Sequence, residues 1–151
     1  MPYRPLLRWL ALATLVSSTP VLAALGGTLD SVTRDRLQVK ASARVIGSGP
    51  ALTVHELILP SGTTVHEFAN ADQRVFAVSW SGPAIPDLRQ FLGAYFAQYA
   101  SADRSSTHGH SHRAVQRDDL VVRSTGRPRA FTGMAYVPSL VPKGVSIDAL
   151  Q

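Results

Sequence analysis

No cysteine occurs anywhere in the chain. That excludes a disulfide, a thiol nucleophile, a cysteine-based zinc or iron–sulfur centre and a lipid-bearing cysteine anchor. No acid precedes Asp30, and no apolar run approaches the ~18–20 residues that a bilayer-spanning helix needs. The Gly-x-Ser-x-Gly elbow and the Ser-x-x-Lys motif of serine enzymes are missing, as is a glycine loop of the kind that cradles phosphate. Adjacent acids at Asp118 and Asp119 diverge in a strand and are solvated in a loop, and Ser79 has no base positioned by local sequence. No nucleophile–base–orienter set is legible, so no catalytic residue and no cofactor-binding residue is assigned, and enzymatic activity stays open.

What is present begins with an export pattern. Arg4 and Arg8 form a cationic front, Trp9 to Val16 a short apolar core, and Val21-Leu22-Ala23 a small-residue exit after the Ser17–Pro20 break. These are the three parts of a secretory signal. The expected division is a signal peptide over 1–23, cut after Ala23, and a single domain over 24–151, destined for the periplasm or for secretion, with no membrane span after processing.

Losing Arg4 and Arg8 lowers the formal charge from +5 to +3. The remaining bases are scattered through Arg34, Arg36, Lys40, Arg44 and the group from Arg113 to Arg129. Nucleic acid binding would need a concentrated basic stripe, so nucleic acid is not an expected partner.

Along the domain, Ala24 to Thr28 reads as a small, flexible start, and Asp30 or Ser31 caps a weak helix toward Gln38. Gly47-Ser48-Gly49-Pro50 is a loop signal. Leu52 to Leu59 and Thr63 to Phe68 read as strands joined by Pro60-Ser61-Gly62, a turn closed by a glycine in the left-handed region. With three loop residues, Glu56 faces His66 and His55 faces Glu67. A two-residue loop would oppose Glu56 to Glu67, so charge selects the longer loop. Neighbouring strand residues point to opposite faces, which splits the cluster into two His–Glu pairs, one on each side.

Arg74 to Trp80 is a further strand, with Phe76, Val78 and Trp80 expected on one face. Leu88, Phe91, Leu92, Tyr95, Phe96 and Tyr99 make an apolar stripe at helical spacing and predict one helix from about Pro86 to about Ala100. Residues 101–112 read as a flexible polar loop, Leu120 to Ser124 and Ala130 to Val137 as strands, and Ser146 as the cap of a last turn. The expected fold is α+β in two layers: an antiparallel β-meander of about five strands, in the order β-β-β-α-β-β, packed on one long amphipathic helix.

Several segments resemble a known family. Ala24-Leu25-Gly26-Gly27, Leu57 to Thr63, Val75-Phe76-Ala77-Val78-Ser79-Trp80, Pro86-Asp87-Leu88-Arg89-Gln90 and Asp118 to Val122 are similar to bacterial exported proteins of domain-of-unknown-function family 2844. The resemblance implies a periplasmic or secreted bacterial protein and brings no activity, cofactor or site residue with it.

Two functional expectations follow. The first is a non-catalytic binding or structural domain of the envelope, with an envelope protein, peptide or glycan as partner and exposed strand edges as the docking surface. The alternative is a metal-binding or metal-delivery protein using His108, His110 and His112. Imidazoles at i, i+2 and i+4 of an extended segment can converge on zinc or copper, with Asp103 or water as a fourth ligand.

Overall fold

The computed structural model describes residues 25–28, 41–103, 112–117 and 119–150. The signal peptide expected over 1–23, the weak helix expected toward Gln38, and His108 and His110 lie outside the described residues.

The fold is a single seven-stranded, wholly antiparallel sheet. Its strands are β1 (Ser42–Ser48), β2 (Leu52–Ile58), β3 (Thr64–Asn70), β4 (Val75–Gly82), β5 (His112–Arg117), β6 (Leu120–Arg127) and β7 (Ala130–Tyr136), in the spatial order β1-β2-β3-β4-β7-β6-β5. The chain therefore builds one meander, crosses to the far edge, and returns through a second meander whose last strand pairs with β4.

This corrects the expected five-strand meander under one long helix. The two additional strands lie at the edges, where burial imposes the weakest pattern. Most of β1 is exposed, and β5 (His-Arg-Ala-Val-Gln-Arg) is mostly polar. The supposed polar loop 101–112 shrinks at both ends, because helix runs to Asp103 and β5 starts at His112.

The helix is short and interrupted. α1 (Leu88–Leu92) is capped by the Asp87 carboxylate, which accepts a hydrogen bond from Arg89 N at 2.9 Å. It ends at Gly93, whose φ of +50° and ψ of −120° no side-chain-bearing residue adopts cheaply. One 3₁₀ turn (Gly93–Tyr95) follows, and α2 (Phe96–Asp103) resumes. The apolar stripe nevertheless does the work its spacing implies. Phe91, Leu92 and Tyr99 are buried, with Leu88, Tyr95 and Phe96 packed beside them.

The sheet presents Leu57, Val65, Val75, Val78, Trp80, Val115, Leu120, Val122, Ala135 and Val137 to this helix. Phe76 is not among them. A bulge opposes Phe68 to Ala77 and Ala69 to Val75, leaving Phe76 as the extra residue of β4. The alternation slips by one there, so Phe76 and Ala77 both turn to the other face while Val75 and Val78 stay with the helix.

That second face has its own cover. Phe68, Phe76, Ala77 and Met134 are overlaid by Leu140, Val141, Val145, Ile147 and Leu150 from the segment after β7. This segment carries two 3₁₀ turns, Pro138–Leu140 and Ile147–Leu150. It is latched by the Asp119 carboxylate, which accepts hydrogen bonds from both Ser139 N (2.9 Å) and the Ser139 hydroxyl. Asn70 Nδ2 donates to Leu140 O at 3.4 Å. The molecule thus has three layers, helix, sheet and carboxy-terminal segment, rather than two.

The start of the domain is also held. Leu25 is 2% exposed. Its N–H donates to Phe91 O at 2.9 Å, Gly26 N–H to Val75 O at 2.7 Å, and Val75 N–H returns to Gly27 O at 2.9 Å. The expectation of a flexible start overlooked that Leu25 supplies a core side chain.

Candidate functional site

The β2–β3 hairpin takes the register that its charges select: Glu56 opposes His66 and His55 opposes Glu67. Leu59 N–H donates to Thr63 O and Gly62 N–H to Leu59 O, both at 2.9 Å, and Gly62 sits at φ +81°. The left-handed glycine closes the three-residue loop. The two His–Glu pairs occupy opposite faces and have different environments.

On the helix side, Glu67 is fully buried between Val65 and Val78, and Trp80 lies diagonally across from it. His55 Nε2 is buried without a hydrogen-bond partner among the described residues. Burial pushes the His55 imidazole below its ordinary value, because a desolvated ring resists protonation.

On the other face the pair belongs to a longer row. Arg44, Glu56, His66 and Ser79 are successive cross-strand neighbours on β1, β2, β3 and β4. Arg44 Nε donates to Glu56 Oε1 at 2.6 Å, and His66 Nε2 stands 3.3 Å from Glu56 Oε2. The Arg44 guanidinium first, then His66, holds the Glu56 carboxyl below the usual carboxylate range. The structure thus gives Ser79 the imidazole neighbour that local sequence withheld. The ring nitrogen engaged in the row points to Glu56, away from β4, and Ser79 is 8% exposed. The row links a guanidinium, a carboxylate and an imidazole across three strands, with Ser79 as the next cross-strand neighbour.

Arg44 is the functional candidate that sequence reasoning missed, because it assigned no strand before Leu52. The available signal was Val45-Ile46, two adjacent β-formers between Arg44 and Gly47. β1 ends the sheet, and among the described residues nothing pairs with its outer side. Val45 is 55% exposed and Ile46 46%. Ile46 is the extra residue of a bulge, which separates the paired stretch Ser42 to Val45 from the paired Gly47 and Ser48. At the opposite edge, α2 packs over β5 and β6 and covers that end of the sheet.

Of the histidines expected to hold metal, His112 opens β5 opposite Thr125, and the other two lie outside the described residues. Among the described residues no three His, Asp or Glu side chains are placed to hold a metal ion together. No helix among them is long and apolar enough to cross a membrane.

No curated protein matches the chain, and no solved structure does. A family model does match: the one described as a protein of unknown function, DUF2844, over residues 21–150. Its span takes in every described strand, the broken helix and the segment after β7, and the chain belongs to that family.

Proposed function

We propose that this protein is an exported, non-catalytic binding domain of the bacterial envelope or its surroundings. Its partner is another protein of that compartment, held as an extended segment along the outer side of β1. Export is supported by the cationic front, apolar core and Val21-Leu22-Ala23 exit of the leader. The binding reading is carried by one observation: β1 is a seven-residue terminal strand with Val45 and Ile46 exposed and its outer backbone groups unpaired among the described residues. An open edge offers a row of N–H and C=O groups at strand spacing, which an extended peptide completes without any rearrangement of the sheet.

The test places a photo-crosslinking residue at Val45, and in a second strain at the exposed Ala97 on the helix. The expected result is an adduct from position 45 alone, mapped by mass spectrometry into an extended stretch of an exported protein. The native product should carry Ala24 as its first residue. Retention of Met1, or position 45 giving no adduct that position 97 lacks, would overturn the reading.

A further inference from the structure

We infer that the segment β1 accepts carries an acidic residue directly opposite Arg44; this rests on the edge-binding reading above and specifies its partner. The row His66–Glu56–Arg44 runs across three strands to the edge and stops on a cation. Arg44 spends its Nε–H on Glu56 Oε1, and its side chain is still 71% exposed. A guanidinium has five N–H donors in a planar fork, so four remain for a further acceptor beside β1. An antiparallel strand on β1 sets one side chain opposite Arg44, with Cβ atoms about 5 Å apart. A carboxylate there gives the guanidinium a second acidic partner, whereas lysine or arginine meets like charge.

The neighbours complete the specification. Val45 points to the helix side and is exposed, so the residue opposite it gains by being apolar and β-branched. Ala43 lies on the same side and leaves room for a second apolar residue. The bulge at Ile46 shifts the register before pairing resumes at Gly47, so the longest unbroken stretch an added strand can read is the four residues opposite Ser42 to Val45. Read antiparallel, the complementary segment is apolar–acidic–apolar–polar. A second copy of this chain does not meet that demand. β1 reads Ser-Ala-Arg-Val-Ile-Gly-Ser and contains no acid, so no register of self-pairing puts a carboxylate against Arg44.

The test uses the native processed protein and fluorescein-labelled Thr-Val-Glu-Val-Thr, with versions carrying Gln or Lys in place of Glu. A fourth peptide, N-methylated at alternate residues, cannot pair as a strand. Fluorescence anisotropy should rank Glu above Gln above Lys, with about a fivefold span between Glu and Lys, since attraction is exchanged for repulsion. The span should narrow in about 0.5 M salt. Arg44→Gln should bring the Glu and Lys peptides to equal affinity, and Arg44→Glu should invert them. Arg44→Gln serves as the deciding variant if the reversed charge disturbs Glu56, with Trp80 fluorescence reporting the fold. Equal binding of the Glu and Lys peptides, with the N-methylated one excluded, would overturn the acid preference and leave edge binding standing. No peptide exceeding the N-methylated one would remove both. Concentration-dependent dimerisation abolished by Val45→Lys would overturn the choice of a foreign segment.

Discussion

Trp80 on β4 and Gly133 on β7 face each other across the sheet, and the indole occupies the volume where a side chain at 133 would stand. A Cβ there would overlap the six-membered part of the ring and come within 2.9 Å of Arg123 O. The ring is 2% exposed and sits in the helix-facing core, so it has nowhere to retreat. Gly133→Ala should therefore destabilise by about 1–3 kcal/mol through overpacking. Urea unfolding followed by Trp80 emission measures it directly on a chain begun at Ala24, which lacks Trp9, the other tryptophan. An unchanged midpoint would mean that the indole has an alternative resting place.

Helix propensity and the observed backbone disagree in sign about Gly93. In a continuous helix, alanine would gain ~1 kcal/mol over glycine. At φ +50° and ψ −120° alanine instead carries strain. Gly93→Ala should cost about 1–2 kcal/mol. A stabilised variant with increased helical circular dichroism would show that the break is not required.

Leu25 tests whether the start of the domain belongs to the core. Leu25→Ala should cost about 2–4 kcal/mol, the range for a buried leucine truncation. Hydrogen exchange should quicken at the amides of Gly26 and Val75, which bond across that contact. A cost of a few tenths of a kcal/mol would return this segment to the status of a loose tail.

Acid should weaken the fold in two separable stages. The folded His55 imidazole has its pKa lowered from 6.5 by burial, so just below that pH the unfolded chain binds the proton more readily than the native one. Stability from this source is complete above about 6.5 and declines as pH falls toward the folded value. Glu56 is also lowered, from 4.5, so its contribution is complete above that value and is lost at more acid pH. His55→Gln should flatten the urea midpoint through the upper window and leave the lower decline intact. A midpoint that still falls between pH 6.5 and 5 in this variant would assign the upper stage to another group.

The legible parts of the fold were those where two physical demands agree. The hairpin from Leu52 to Asn70 was readable because turn chemistry at Pro60-Ser61-Gly62 and the charges of Glu56, His66, His55 and Glu67 select the same register. The apolar stripe from Leu88 to Tyr99 was readable as a buried ridge because its spacing survives a 3₁₀ turn. It was not readable as two helices, since a glycine off the stripe gives the same pattern whether φ is negative or positive. β1 and β5 escaped because an edge strand is half solvated and shows no alternation. The placement of Phe76 failed because one bulge shifts parity without leaving a mark in composition. The candidate site shared that fate: Glu56 and His66 were in view, but Arg44 joins them only through the strand that went unseen.

The segment after β7 has a consequence for biosynthesis. Residues 138–150 are the last of these elements to be made, yet they shield Phe68, Phe76 and Met134, which three different strands contribute. A nascent chain can complete all seven strands and bed its helix while that face is still wet. Final closure therefore waits until residues 138–150 have been made, and a premature stop after Tyr136 would leave a greasy flank for chaperones or proteases to find.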